Sequence, residues 1–223
     1  MVELLHFDIE TTSEYENFES FKENDERGSA LFEAKCKKMN WIEKFGSIEQ
    51  AYIENGGIIS TYGKIICISF GFTVNGEKRI KSLYSDNEKD LVNKFNESLK
   101  YIEKKAFHLC GFRIKHFDIP WILHKLHKYG IEPVDMIYVY DKKPWEMRVA
   151  DMSDDWKTGY LLSHTFDEMC YELGVESPKN ELDGSKVHKA YWSGNLDSVV
   201  KYCESDVSSS IDAGIKLYKH YKH

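Results

Sequence analysis

The residues best suited to chemistry are Asp8 and Glu10, two carboxylates two positions apart in Phe7-Asp8-Ile9-Glu10-Thr11-Thr12. Strand side chains alternate faces, so both acids project to one side as the chain leaves the core. Two anions held side by side repel each other and lose hydration, which a cation between them relieves. Hard divalent ions such as Mg²⁺ or Mn²⁺ suit oxygen ligands of this kind. The same spacing recurs in Asp86-Asn87-Glu88, where Asp86 and Asn87 read as caps opening a helix, so spacing alone does not mark a site. A third acid, Asp118 of Phe117-Asp118-Ile119-Pro120-Trp121, follows a strand pattern at Ala106 to Cys110 and begins the helical pattern Ile119, Ile122, Leu123, Leu126. That places Asp118 about where an N-cap belongs and Pro120 in the first turn. Farther on, Tyr202 and Asp206 stand one helical turn apart on the flank of an apolar stripe formed by Leu196, Val199, Val200, Cys203, Val207, Ile211 and Ile215. Asn195 reads as the cap of that helix, and Asp212 falls on its opposite, solvated face.

The elements that must bring these residues together follow from local pattern. A strand spans Glu3 to Ile9, and an irregular acidic and helical insertion runs from about Ser13 to Gly57. Strands at Lys64 to Thr73 and Glu77 to Tyr84 are joined by Asn75-Gly76, a strong hairpin signal. A helix over Asp86 to Lys104, the strand Ala106 to Cys110 and a helix over Asp118 to Tyr129 complete an α/β layer arrangement with a mixed sheet. The segment Tyr171 to Asn195 mixes loop signals, Ser177-Pro178 and Asp183-Gly184, with a short helix at Val187 to Trp192, and is a candidate wall of a substrate channel. Within it and nearby, Trp192, Tyr191, Trp156 and Phe112 are either base-stacking surfaces or boundary packing, the second being the more common use of aromatics.

In order and spacing, Asp8-Ile9-Glu10-Thr11-Thr12, Phe117-Asp118 and Tyr202-Cys203-Glu204-Ser205-Asp206 resemble the three motifs of the DEDD 3′-to-5′ exonucleases in their tyrosine-bearing DEDDy branch. The chain is most similar to the exonucleases of bacteria and their phages that are related to the proofreading domain of family B DNA polymerases. Lys143-Pro144-Trp145-Glu146 and Leu173-Gly174-Val175-Glu176-Ser177-Pro178-Lys179 fit as well, so the likeness runs from Val2 to about residue 215. It implies an RNase-H-like core with the first strand central, in a single domain. It also implies two divalent metal ions, Mg²⁺ or Mn²⁺, held by Asp8, Glu10, Asp118 and Asp206, with Tyr202 orienting the attacking water. Thr11 and Thr12 would meet the terminal 3′ hydroxyl through hydroxyls or backbone N–H groups. One departure stands out: where the family has Gly-His-Asn-Ile, this chain has Gly111-Phe112-Arg113-Ile114. Arg113 can bind a phosphate or carboxylate but cannot accept a hydrogen bond as the amide does. The implied activity is metal-dependent release of nucleoside 5′-monophosphates from the 3′ end of DNA, single-stranded in preference. The alternatives are an exoribonuclease with the same acids and a non-catalytic nucleic-acid-binding module.

Bulk properties agree with a folded enzyme. The 223 residues are 42% hydrophobic and 14% aromatic, enough for a full core without disulfides. Nothing approaches a membrane span or a signal peptide, so the expected setting is the cytoplasm, with replication or repair proteins as partners. The five cysteines are widely spaced and read as reduced core residues. The net charge of −7 lies entirely in residues 1 to 60, with 13 acidic and 6 basic side chains. Residues 99 to 150 carry 10 basic against 6 acidic side chains, and Lys115, Lys125, Lys128, Lys142 and Lys143 are candidates for a phosphate track.

Overall fold

The computed structural model describes residues 3–140, 142–157, 164–178 and 184–219. Lys179 and Asp183, parts of two of the stretches noted above, lie outside them. Five strands, β1 (Glu3–Ser13), β2 (Gly63–Val74), β3 (Glu77–Tyr84), β4 (Phe107–Gly111) and β5 (Val149–Asp151), form one mixed sheet in the order β3-β2-β1-β4-β5. β1 runs antiparallel to β2 and parallel to β4, and β4 runs parallel to β5. The β2–β3 hairpin turns at Asn75 and Gly76, both with positive φ (51° and 82°), as the Asn-Gly signal requires.

β1 is four residues longer than the apolar pattern predicts, because its pairing with β2 continues to Ser13 opposite Gly63. Between the Glu10–Cys67 and Thr11–Ile65 pairs, Ile66 is an extra residue, a β-bulge that bends the strand just beyond the paired acids. β5 has no counterpart in the sequence reading. Three residues are too few to display a period, and each residue pairs with a β4 partner 40 positions away, Leu109 with Val149 for example.

Helices α1 (Phe18–Asn24), α2 (Glu26–Lys38), α3 (Trp41–Phe45) and α4 (Ile48–Asn55) make up the acidic insertion. They close over an aromatic cluster of Phe18, Phe21, Phe32, Tyr52 and Tyr62. α5 (Glu88–Glu103) and α6 (Asp118–Lys128) cover one sheet face, burying Leu91, Phe95, Leu99, Ile122 and Leu126 against Leu5, Phe7, Ile9 and Phe70. Each such side chain taken from water contributes about 1.5–3 kcal/mol. After the sheet closes with β5 come α7 (Met152–Asp155), α8 (Phe166–Leu173), α9 (Val187–Trp192) and α10 (Leu196–Leu217).

α10 covers the other face. Asn195 caps it as expected, accepting from the Ser198 N–H at 3.3 Å. Its buried positions include Val199, Cys203, Val207 and Ile211, but Ile215 is exposed, because the stripe turns away from the sheet in the last helical turn. The helix lies against β1 at Gly214, where a Cβ would stand 2.5 Å from the His6 ring. His6 Nδ1 pairs with the Ser210 hydroxyl at 2.8 Å, and Ser82 donates to Glu204 at 2.6 Å. Asp212 is not simply solvated: Lys78 of β3 reaches it at 2.5 Å.

Candidate active site

Alternation along β1 sends Leu5, Phe7 and Ile9 into the α5–α6 layer, so Asp8 and Glu10 face the α10 layer instead. There the carboxylates of Asp8 and Glu10 and the thiol of Cys203 present ligand atoms within 4.8 Å of one another. Cys203 Sγ lies 3.4 Å from both Asp8 Oδ2 and the Asp8 carbonyl, and Cys203 follows Tyr202 directly and precedes Asp206 by one turn.

Asp118 arrives by another route. β4 pairs only with Glu3 to His6, so the β4-side edge of β1 is open beyond that point. The Asp118 Oδ1 accepts the Ile9 N–H there at 3.0 Å, supplying the partner a strand would have given. Asp118 is therefore not the N-cap: Phe117 holds that position without a side-chain bond, and Asp118 is the first helical residue, its carboxylate spent across the chain. Asp8, Glu10, Asp118, Tyr202 and Asp206 all line one cavity of about 650 Å³, together with Ile9, Phe112, Arg113, His116, Phe117, Ser153, Lys157 and His164.

Burial and mutual repulsion set the protonation of the acids. Burial pushes the carboxyls of Asp118 and Asp206 up to about 7, against a hydrogen bond from Tyr202 to Asp206 and N–H bonds to Asp118. Asp8 is raised by burial, then by Asp206, Glu10 and Asp118; Glu10 is raised by burial, then by Asp206. Burial and these neighbouring anions hold the Tyr202 phenol well above the ordinary range, so it is a hydrogen-bond donor and not a base at neutral pH. Among the described residues none of the four acids forms an ion pair with a basic side chain. Four converging, raised, unpaired carboxyls form a donor set that fits hard divalent cations.

The expected substrate contacts are placed differently. Thr11 donates its hydroxyl to the Gly57 carbonyl at 2.5 Å, and the buried Thr12 hydroxyl meets His188 Nδ1 at 3.2 Å. Both hydroxyls are thus engaged by the insertion and α9, and neither threonine lines the cavity. Arg113 does line the cavity and is exposed. Lys115 does not; its ammonium is paired with Asp154 at 2.6 Å. The anticipated lysine track is largely internal neutralisation. Lys125 is 1% exposed and pairs with Glu88 at 3.2 Å, Lys128 stands near Glu14 and Glu88, and Lys142 pairs with Asp135.

No described residue of the segment Tyr171 to Asn195 lines the cavity. α9 packs on Ile66 and Val199, and Tyr191 and Trp192, an edge-to-face pair, instead both face the Lys64 ammonium, each ring centroid 4.7 Å away. Trp156 packs in a cluster around Met152 and Met169, and Phe112 lies against Phe166 while touching the cavity. The wall comes from Phe112, Arg113, His116, Phe117, Ser153 and Lys157 with His164. Sequence reasoning missed Asp151, the last residue of a strand too short to read, and Ser153 just beyond it.

The sequence pattern of the family described as "Predicted 3'-5' exonuclease related to the exonuclease domain of PolB" matches residues 58–211. The chain belongs to this family. The matched span is narrower than the likeness read from the motifs, and Asp8 and Glu10 lie before it; the fold is what joins them to the later motifs. Membership makes this exonuclease-family chain an enzyme of the 3′-5′ exonuclease class. Its fold is similar to the family B DNA polymerase of the hyperthermophilic archaeon Pyrobaculum calidifontis, with a TM-score of 0.62 and 15% identity over 97% of this chain and 24% of the polymerase. The chain thus spans about a quarter of that polymerase. Exonuclease I of E. coli in complex with an oligonucleotide matches with a TM-score of 0.42 and 13% identity over 100% of this chain and 41% of that one. No curated protein matches. Among the described residues no helix is long and apolar enough to cross a membrane.

Proposed function

We propose that the protein is a DEDDy-type exonuclease that shortens single-stranded DNA from its 3′ end, releasing nucleoside 5′-monophosphates in the cytoplasm alongside replication or repair proteins. On this reading the whole chain is one exonuclease domain, with the helical segment from about Ser13 to Gly57 inserted between its first two strands. The observation that carries it is the convergence of Asp8, Glu10, Asp118 and Asp206 with Tyr202 in a single cavity.

The four carboxylates would hold two divalent ions, Mg²⁺ or Mn²⁺, which when bound supply an activated water and a counter-charge for the departing oxygen. Tyr202 donates a hydrogen bond and orients the water, its high-lying phenol keeping the proton. Arg113, which lines the same cavity, offers a planar fork to a phosphate. Phe112 and Phe117 line the same cavity and are the candidates on which a terminal base would stack. With water attacking phosphorus, the bond to the 3′ oxygen of the next nucleotide breaks and the terminal nucleotide leaves with its 5′ phosphate.

The test is digestion of a 5′-labelled single strand in Mn²⁺, with a matched RNA alongside. A ladder shrinking from the 3′ end in wild type, absent in Asp8→Ala, is the expected result. Equal activity in the two proteins would defeat the assignment, and faster loss of RNA than DNA would move the substrate to RNA.

A further inference from the structure

Asp151 ends β5 and stands outside the acidic cluster, yet it is 1% exposed and fully engaged. Its Oδ1 accepts from the Arg113 N–H at 3.0 Å, and from the N–H and hydroxyl of Ser153 at 3.0 and 2.8 Å. Its Oδ2 accepts from the Lys115 N–H at 2.9 Å. The segment so gripped is the turn that carries the chain from β4 into α6.

That turn does not hold its own shape. Arg113 has a φ of 63°, the left-handed region, which costs a residue with a side chain about 1–3 kcal/mol unless its surroundings enforce it. At Gly111 a Cβ would meet Ile114 at 2.4 Å and the Phe7 carbonyl at 2.9 Å, so the turn lies pressed on the sheet. The Arg113 carbonyl then accepts from the N–H groups of His116 and Phe117 at 2.9 and 3.0 Å, and the next residue is Asp118.

We propose that Asp151 is a positioning residue for the candidate active site: it clamps the turn from Gly111 to Phe117 and so sets where Asp118 and the Arg113 guanidinium stand. This rests on the exonuclease reading given above. A carboxylate is required because each oxygen must accept from a different N–H. An amide of the same shape accepts through one oxygen and turns its NH₂ toward the other donor.

The experiment compares wild type, Asp151→Asn, Asp151→Asn with Arg113→Gly, and Lys125→Met, the last disturbing a buried ion pair on the α5–α6 side without touching the turn. Mn²⁺ affinity is measured by titration calorimetry, and amide hydrogen exchange is followed over residues 111–118. Asp151→Asn should weaken Mn²⁺ binding about 10- to 100-fold and speed exchange in the turn. Adding Arg113→Gly should recover part of the affinity, because glycine adopts the left-handed conformation without strain. Lys125→Met should lower the melting temperature while leaving Mn²⁺ affinity within about twofold. A folded Asp151→Asn protein with wild-type Mn²⁺ affinity and wild-type exchange overturns the clamp, as does an equal affinity loss in Lys125→Met. Wild type that binds no Mn²⁺ and releases no nucleotide overturns the exonuclease reading instead, and the exchange comparison still decides whether Asp151 holds the turn.

Discussion

Tyr202 and Asp206 share a hydrogen bond, and each is forced off its ordinary titration range by the same burial. A phenol that keeps its proton orients water but does not deprotonate it. Tyr202→Phe should therefore lower kcat about 10- to 100-fold, the worth of one charge-assisted hydrogen bond, with Mn²⁺ affinity unchanged; stopped-flow turnover and calorimetry separate the two. Asp206→Asn should behave in the opposite sense on stability. It removes a carboxyl that the fold raises to about 7, so at pH 8 the metal-free variant should melt about 2–4 °C above wild type while nucleotide release is lost. A melting point at or below wild type would show that repulsion in the cluster is not what burdens the metal-free fold.

At the scale of elements, two close approaches decide whether the acids meet. α10 is seated by Gly214 against the His6 ring, and the β4–α6 turn by Gly111 against Phe7 and Ile114. Gly214→Ala should push the helix from the sheet and cost about 1–3 kcal/mol by overpacking, measured by urea denaturation. α6 is anchored from the other side by the buried Lys125–Glu88 pair, with Tyr129 donating to Glu88 at 2.6 Å. Lys125→Ala should cost about 3–5 kcal/mol, since it removes the buried cation nearest Glu88 and leaves only the half-exposed Lys128 at 3.7 Å. If the same denaturation series finds less than 1 kcal/mol, water must reach Glu88.

For the whole molecule, pH and divalent ions should act together. Asp118 and Asp206 have folded values near 7 against unfolded values near 4, and Asp8 and Glu10 are raised as well. Between those values the folded chain holds protons that the unfolded chain releases, so metal-free stability falls as pH rises from about 4 to 7. His6 works the other way: burial drops it to about 3, so its contribution is lost as pH falls below about 6.5. The metal-free protein should therefore melt at a higher temperature at pH 6 than at pH 8. Added Mn²⁺ should raise the melting point more at pH 8, where the carboxylates are already ionised, and thermal shift assays at the two values check both statements.

Local pattern alone determined much of this protein. Asn-Gly, the Asn195 cap, the apolar stripe of α10 and the alternation of β1 are readable because each depends on residues a few positions apart. The acids and Tyr202 were legible as motifs for the same reason. Tertiary structure decided the remainder. Whether a lysine faces a ligand or an internal Glu88, whether the hydroxyls of Thr11 and Thr12 face the cavity or Gly57 and His188, and whether a three-residue strand exists to place Asp151 all depend on partners distant in sequence. Burial, which moves the carboxyls toward neutrality and gathers them into a candidate cation site, arises only when β1, the β4–α6 turn and α10 close on one another.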